Sequence, residues 1–240
     1  MSNNCSISLI CCDPLNLEKD VEFLINKGFN QFHADFMDNT FVPRLGIYPE
    51  IIQRLKERFG DKIVIDSHLM IENPERCLDV IAPYSDWIFI HYESQKDPLR
   101  VIQAIKKKYN CRVGLAFNVL TSIPSELYYE DNLVDGIMLM GISPGVLGTN
   151  HYFDVVLKKL MEIRQVYTKT LPVYIDGSIN FYTEQKYLED SNLGRYTTLI
   201  CGSSTIFKDV NNLELRYSQI ENNLKKYEEL LPRYLREENA

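Results

Sequence analysis

Several features that would assign this chain to a class at once are missing from its sequence. No apolar run reaches the roughly eighteen residues that a membrane-spanning helix needs, and no charged segment followed by an apolar one opens the chain. No G-x-G-x-x-G turn follows the first strand-like run, so a dinucleotide site is not expected. These absences predict a cytoplasmic protein with no membrane partner.

Positive charge is also scarce. Lys and Arg total 26 against 33 Asp and Glu, which gives a net charge of -7. Nucleic-acid phosphates attract basic surfaces, so a nucleic-acid partner is not expected. A small phosphorylated ligand stays open, because backbone amides alone can hold a phosphate.

The chain contains six cysteines but no C-x-x-C pair. Most of them lie in or beside apolar runs, which favours reduced, buried thiols in a reducing compartment over disulfides or a cysteine metal site. Cys11 and Cys12 fall in the first strand-like run and are expected on opposite faces of that strand.

Short apolar runs alternate with amphipathic segments along the whole chain, which indicates parallel strands joined by helices. The predicted strands are Ser6–Cys12, the first part of Gln31–Pro43, Ile63–Met70, Trp87–Glu93, Arg112–Asn118, Asp135–Gly141, Leu171–Asp176 and Thr197–Gly202. The predicted helices are Leu15–Lys27, Pro49–Phe59, Asn73–Ala82, Asp97–Tyr109, Ser122–Glu130, Tyr152–Tyr167, Asn180–Asp190 and a long one from Asn212.

Eight such units predict a closed (β/α)8 TIM barrel of the α/β class. The alternative, an open doubly wound sheet, would have a Gly-rich first turn, and CCDPLN is not one. We expect one domain over residues 1–240, in which residues 208–240 form a C-terminal helix and a tail that frays at its end.

Polar residues stand where strands are predicted to end, and the stretch QFHADFM places His33 and Asp35 on one face of a strand. Such a pair is either a simple hydrogen bond or part of a metal or general-base site. His68 and Asp176 end two other strands, so the four side chains are expected to converge on a divalent metal at the carboxyl-terminal face of the barrel. Asp66 lies one pleat deeper and is expected to accept a hydrogen bond.

Three glycine-containing turns follow the last predicted strands: Ser143–Thr149, Asp176–Ser178 and Gly202–Ser204. Any tight turn needs glycine, so each alone means little. Three together on one rim predict a phosphate site built from backbone N–H groups.

The motifs SISLICCD, FHADFMDNTFVP, IDSHLMIENPER, MGISPGVLG, VYIDGSI and CGSSTIF, in this order, resemble the ribulose-phosphate 3-epimerase family. The resemblance implies an isomerase of carbohydrate metabolism that interconverts D-ribulose 5-phosphate and D-xylulose 5-phosphate. It implies one divalent metal ion, with zinc the first expectation and iron, manganese or cobalt as alternatives, and a small ketose phosphate as the partner. A homo-oligomer is a further expectation.

The resemblance also implies the site residues, by position in the motifs. Asp35 and Asp176 match the acid/base pair, and His33, Asp35, His68 and Asp176 match the metal ligands. The implied substrate contacts are Ser8, Met37, His68, Met70, Met140, Gly145, Val146, Leu147, Gly148, Gly177, Ser178, Gly202 and Ser203. For the methionines, filling the core is an equally good interpretation.

Departures from the family pattern leave the length of the sugar open. Asn39, Leu147 and Thr149 replace the usual glycine, glycine and glutamine, and Ser178 turns D-G-G into D-G-S. D-G-S also occurs in relatives that act on hexulose 6-phosphates such as D-allulose 6-phosphate, so such a 3-epimerase is the alternative.

Rival functions on the same barrel have weaker support. The orotidine-phosphate decarboxylase group needs a D-x-K-x-x-D array, and a Schiff-base aldolase needs a strand lysine; the predicted strands contain neither. A catalytically inactive sugar-phosphate-binding barrel is the alternative of another class, and the presence of both Asp35 and Asp176 argues against it.

Overall fold

This computed structural model describes residues 4–125, 127, 133–146, 149–166 and 171–238. Within them, eight parallel strands follow one another around a closed barrel, and the first strand pairs with the last. The strands are β1 Cys5–Ser8, β2 Gln31–Met37, β3 Val64–Met70, β4 Trp87–His91, β5 Arg112–Phe117, β6 Gly136–Met140, β7 Val173–Asp176 and β8 Thr197–Cys201. The predicted (β/α)8 barrel is confirmed.

Helices pack around the outside of this barrel and bury an apolar layer against the sheet. In the described part of the chain they are α1 Leu17–Asn26, α2 Pro49–Phe59, α3 Leu78–Ile81, α4 Pro98–Lys108, α5 Phe153–Val166, α6 Phe181–Leu188, α7 Ser191–Gly194, α8 Arg216–Leu230 and α9 Arg233–Glu238. None of these helices combines the length and the hydrophobicity that a bilayer span requires. The helix predicted at 122–130 lies largely outside the described residues.

The first strand is shorter than predicted. β1 ends at Ser8, the last residue paired with β2, and Leu9–Cys11 forms a 3₁₀ turn. Without a neighbouring strand to pair with, the backbone closes on itself, and Cys12 N–H donates to Leu9 O at 3.1 Å. The expectation that Cys11 and Cys12 lie on opposite faces of a strand is therefore wrong.

The predicted helix Asn73–Ala82 is also wrong in its extent. The segment contains a 3₁₀ turn at Pro74–Arg76, the four-residue α3 and a second 3₁₀ turn at Ala82–Tyr84. Pro74 opens the first turn, where proline is tolerated, whereas Pro83 lies in the second turn and has no N–H to donate to the carbonyl of Asp79, so α-helical bonding stops there.

The end of the chain packs against the barrel, so the expected fraying is wrong up to residue 238. Leu231, which precedes α9, and Leu235, which lies within it, are both buried. The Tyr234 hydroxyl donates to Leu188 O at 2.5 Å. Burial of these apolar side chains provides the free energy that orders the segment. The predicted single-domain barrel is confirmed, whereas the division of the chain at residue 208 stays a prediction.

Aromatic rings form a floor inside the barrel, below the carboxyl ends of the strands. The rings of Trp87 and Phe89 lie parallel, with centroids 5.5 Å apart. Two glycines, one on β5 and one on β6, give them room: a Cβ on Gly114 would clash with the Phe89 ring, and one on Gly136 would lie 2.9 Å from Trp87. Because His91 follows Phe89 by two residues on β4, its side chain lies on the same face, above this floor.

Candidate active site and metal centre

Three strands bring the four predicted ligands together at the carboxyl end of the barrel. His33 and Asp35 are two residues apart on β2, and Asp35 is in register with His68 on β3. Asp176 is the last residue of β7, across the barrel mouth. Alternation along each strand turns all four side chains inward.

The ligand atoms of this cluster converge on one small volume. His68 Nδ1 lies 3.4 Å from Asp35 Oδ1 and 3.4 Å from Asp176 Oδ2. His33 Nε2 lies 3.1 Å from Asp35 Oδ1 and 3.9 Å from Asp176 Oδ2. One nitrogen or oxygen of each residue lies within 4.8 Å of all the others, a spacing that one ion can bridge.

The cluster fits a divalent metal ion. His68 Nδ1 is buried and has no hydrogen-bond partner among the described residues, although it points between two carboxylates. Leaving a buried polar atom without a partner is costly, and a cation at this position would satisfy it. Two imidazoles and two carboxylates are a donor set that first-row divalent metals accept.

Electrostatics at the cluster favour a cation as well. Burial opposes ionisation of Asp35, yet His33 and His68 hold its pKa below the ordinary value. Burial likewise opposes charge on His33, but Asp35 and Asp66 raise the pKa of that imidazole well above its usual range. The site therefore stabilises positive charge among its carboxylates.

A polar network beneath the cluster holds His33 in place. His33 Nδ1 lies 2.5 Å from Asp66 Oδ1, and the other oxygen of Asp66 accepts hydrogen bonds from Ser6 Oγ and Gln31 Nε2. Asp66 thus accepts the buried hydrogen bond expected from its place one pleat deeper. The contact between Asp66 and His33 Nδ1 orients the imidazole ring so that His33 Nε2 faces the other ligands.

A cavity of about 160 Å³ opens directly above the cluster. The predicted residues that line it are Ser8, Asp35, Met37, Met70, Met140, Gly145, Val146, Asp176, Gly177, Ser178, Gly202 and Ser203. His68 is fully buried behind Asp35 and Asp176. Leu147 and Gly148 lie outside the described residues.

Left-handed backbone shapes the rim of this cavity. Gly177 and Ser178 have φ of 106° and 52°, and Asn39 has φ of 58°. A Cβ on Gly177 would lie 2.5 Å from Ile142 Cγ1. Glycine is therefore needed there both for its positive φ and for the lack of space. Asn39 lies in the loop after β2, outside the cavity lining, and asparagine tolerates this conformation, whereas Ser178 carries backbone strain of about 1 kcal/mol.

Two parts of the site were not predicted from the sequence. Arg44 lines the cavity from the loop after β2, where no periodic pattern identifies it. His91 lies 2.9 Å from His68 and contacts Glu93, and neither His91 nor Glu93 was predicted to take part in the site. The H-x-E spacing of His91 and Glu93 at the end of β4 repeats the H-x-D spacing on β2 and is the signal that could have identified them.

Fold and site together define a (β/α)8 barrel protein with a candidate divalent-metal centre beneath a small-molecule cavity. A sequence model of the Ribulose-phosphate 3 epimerase family matches residues 4–203. The chain therefore belongs to the ribulose-phosphate 3-epimerase family, as its motifs indicated.

Individual relatives agree with this assignment. The chain is 31% identical over 177 residues to the ribulose-phosphate 3-epimerase of Helicobacter pylori strain J99, covering 72% of this chain and 78% of the relative. It is 31% identical over 176 residues to the enzyme of that name from Serratia marcescens, covering 72% and 82%. The expectation of an isomerase is thus confirmed at the level of the family.

Solved structures support the fold. The crystal structure of 3-hexulose-6-phosphate synthase from Salmonella typhimurium superposes with a TM-score of 0.58 at 14% identity, covering 93% of this chain and 99% of that one. At this identity the likeness shows the shared barrel and nothing about the reaction.

Proposed function

We propose that this protein is a metal-dependent 3-epimerase that interconverts D-ribulose 5-phosphate and D-xylulose 5-phosphate. The observation that carries the proposal is the placement of two carboxylates from well-separated strands. Asp35 on β2 and Asp176 on β7 line the same cavity, and each lies 3.4 Å from His68 Nδ1. Family membership supports the same reaction.

Inversion at C3 requires proton transfer on both faces of that carbon. One carboxylate removes the C3 proton, and the C–H electron pair forms a C2–C3 double bond while the carbonyl oxygen becomes negative. The other carboxyl group, protonated at the start, then delivers its proton to C3 from the opposite face, and the carbonyl forms again. Asp35 and Asp176 exchange protonation states in each turnover, so the reverse reaction uses the same pair.

The divalent ion would be held by His33, Asp35, His68 and Asp176. Zinc is our first choice for this ion, and iron, manganese or cobalt are alternatives. When bound, the ion supplies positive charge beside the substrate oxygens that become negative. Met37, Met70 and Met140 give the cavity an apolar wall that excludes water from the reacting carbon.

The phosphate group of the substrate would lie at the glycine-containing rim. The rim residues are Gly145, Val146, Gly177, Ser178, Gly202 and Ser203. Turns of this kind present backbone N–H groups to an anion. Arg44 adds a cationic side chain to the same lining, so the phosphate would meet charge as well as amides.

Incubation with D-ribulose 5-phosphate in heavy water tests the reaction directly. We expect deuterium at C3 and formation of D-xylulose 5-phosphate, both lost after treatment with a chelator and restored by the metal. Absence of exchange with this substrate and with D-allulose 6-phosphate would refute the epimerase proposal.

Asp176→Asn tests the role of one carboxylate. We expect turnover to fall about 10²–10⁴-fold, the usual effect of removing an acid/base group. Asp154→Asn is the matched control, because Asp154 is exposed at the start of α5 and does not line the cavity. Turnover of Asp176→Asn equal to that of the control would contradict the assignment.

One observation favours a second substrate class. Ser178 keeps a left-handed backbone at the rim and adds a hydroxyl group beside the phosphate region. A 3-epimerase of D-allulose 6-phosphate is therefore the second candidate, and the ratio of kcat/KM for the two sugar phosphates decides between them. A cytoplasmic location and a homo-oligomeric state stay predictions.

A further inference from the structure

A buried chain of hydrogen bonds runs from the metal-site histidine of β3 away from the cavity. His68 Nε2 lies 2.9 Å from His91 Nε2, and His91 Nδ1 lies 3.1 Å from Glu93 Oε2. Both imidazoles are fully buried. The chain leaves the barrel interior at Glu93, in the 3₁₀ turn after β4.

Glu93 is itself held in place from two sides. Its Oε1 accepts the backbone N–H of Asn118 at 2.8 Å, at the end of β5. Lys159 on α5 fixes that strand end by donating to Asn118 O at 2.9 Å and Val119 O at 2.7 Å. Burial opposes ionisation of Glu93, yet hydrogen bonds from His91, Thr121 and Asn118 lower its pKa, so it is a carboxylate that only accepts.

With a cation bound between Asp35 and Asp176, the count of hydrogens allows one arrangement in which every polar atom of His68, His91 and Glu93 has a suitable partner. An ionised Glu93 requires the proton of His91 on Nδ1, and His91 Nε2 must then accept. The proton of His68 must therefore lie on Nε2, which leaves the lone pair of Nδ1 facing Asp35 and Asp176. The reversed arrangement would place a lone pair of His91 against the Glu93 carboxylate.

We propose that His91 and Glu93 are positioning residues that fix the tautomer and the ring orientation of His68, so that Nδ1 is ready to bind the metal. The inference rests on the metal-dependent function proposed above. It assigns the two imidazole ligands different supports: His33 donates directly to a carboxylate, whereas His68 donates to a neutral imidazole that in turn donates to one.

The test compares His91→Phe with His91→Gln. Phenylalanine keeps the ring but removes the acceptor for His68 Nε2–H, whereas glutamine offers a carbonyl oxygen to His68 and an N–H to Glu93. We expect zinc affinity, measured by chelator competition, to fall about 10–100-fold in His91→Phe and to recover largely in His91→Gln. Loss in both variants to the same extent would overturn the proposal.

A spectroscopic readout separates positioning from packing. In the zinc-loaded wild type, the imidazole nitrogen resonances of His68 should show the proton on Nε2 and the metal on Nδ1. In cobalt-loaded Glu93→Gln, the visible spectrum should shift relative to the wild type. Unchanged spectra and unchanged zinc affinity in Glu93→Gln, or no zinc binding by the wild type, would overturn the proposal.

Ser67→Ala is the matched control. Ser67 precedes His68 on β3, but its hydroxyl lies 2.6 Å from that of Ser85 and does not touch the His68–His91–Glu93 chain. The control loses a buried hydrogen bond of the same strand and should keep the wild-type zinc affinity. These zinc-binding measurements need no substrate. Zinc affinity that stays at the wild-type value in His91→Phe and Glu93→Gln therefore refutes the positioning role. Failure of the heavy-water exchange refutes the proposed reaction alone.

Discussion

Arg44 sets the charge at the mouth of the cavity. Among the described residues that line it, Arg44 is the cationic one, while Asp35 and Asp176 are acidic. The left-handed turn at Asn39 shapes its loop, where Asn39 N–H donates to Arg44 O at 3.0 Å. The loop also touches the opposite rim, because a Cβ on Gly145 would lie 2.7 Å from Val42 Cβ.

Replacement of Arg44 should therefore weaken substrate binding more than chemistry. We expect Arg44→Ala to raise KM for the sugar phosphate about 10–100-fold, since a hydrogen bond to a charged group contributes about 1.5–3 kcal/mol, and to change kcat little. Arg54→Ala on α2 is the control, because that side chain is 79% exposed and lies outside the cavity lining. An unchanged KM in Arg44→Ala would show that the cation does not meet the phosphate.

Side chains on strands were predictable from the sequence, and those in loops were not. The alternation in β2 and β3 was enough to place His33, Asp35 and His68 on inward faces. Arg44 has no such pattern, because the path of its loop depends on contacts with another loop. The pairing of His68 with His91 crosses from β3 to β4, and a single sequence does not show which polar groups of two strands meet.

At the scale of elements, helix α6 carries an unusual buried acid. Glu184 is fully buried, and neither of its carboxyl oxygens has a hydrogen-bond partner among the described residues. Burial raises its pKa from 4.5 to about 9, although Lys226 opposes the shift. The carboxyl group is therefore neutral in the folded protein at neutral pH.

This shift predicts that stability falls as the pH rises. Between about pH 5 and pH 9 the folded state keeps a proton on Glu184 that the unfolded state has lost, so the free energy of unfolding decreases by up to about 1.4 kcal/mol per pH unit. Below that window both states are protonated and the effect vanishes. Chemical denaturation of wild type and Glu184→Gln at pH 5.5 and pH 8.5 measures this pH dependence of the free energy of unfolding.

The variant should gain stability relative to wild type only at the higher pH. Glu189→Gln on the same stretch of chain is the control, since Glu189 is exposed and its replacement should not alter the pH dependence. If the free energy of unfolding of wild type and of Glu184→Gln changed with pH in the same way, Glu184 would not be a buried neutral acid.

Elements were predicted best where periodicity and turn residues agreed. The limits of α2 match the prediction, with proline at its first position and Gly60 at its end. β1 was predicted too long because the apolar run SISLICC continues past the last residue that pairs with β2. Hydrophobicity alone does not report where pairing stops.

At the scale of the whole molecule, a buried ion pair joins α1, near the start of the chain, to α8, near its end. Asp20 on α1 is fully buried and accepts a hydrogen bond from Arg216 Nε on α8 at 3.1 Å. Asp20 Oδ2 also accepts the backbone N–H of Asp13 at 2.8 Å. The pair therefore braces the barrel beside the seam where β1 meets β8.

Removing one partner should destabilise the fold without altering the site. We expect Arg216→Ala to lower the free energy of unfolding by about 3–5 kcal/mol, because it leaves the Asp20 charge buried and unpaired. Zinc affinity of the folded variant should be unchanged. Urea denaturation measures the loss, and Arg236→Ala, at an exposed arginine of α9, is the control.

If Arg216→Ala lowers the free energy of unfolding no more than Arg236→Ala does, the Asp20–Arg216 pair does not brace the fold. Recovery in the double variant Asp20→Asn with Arg216→Ala would identify the unpaired charge as the cause. The barrel itself was predictable from the number of strand and helix units. This long-range pair, 196 residues apart in sequence, was not, because many acids and bases of the two helices could have met.

The aromatic floor of the barrel has a practical consequence. Trp87 is the single tryptophan of the chain, and it is buried inside the barrel against Phe89. Intrinsic fluorescence excited at the indole band therefore comes from one known position below the His33, Asp35, His68 and Asp176 cluster. The protein carries its own optical reporter of barrel integrity, and no labelling is required to follow the barrel interior separately from the outer helices.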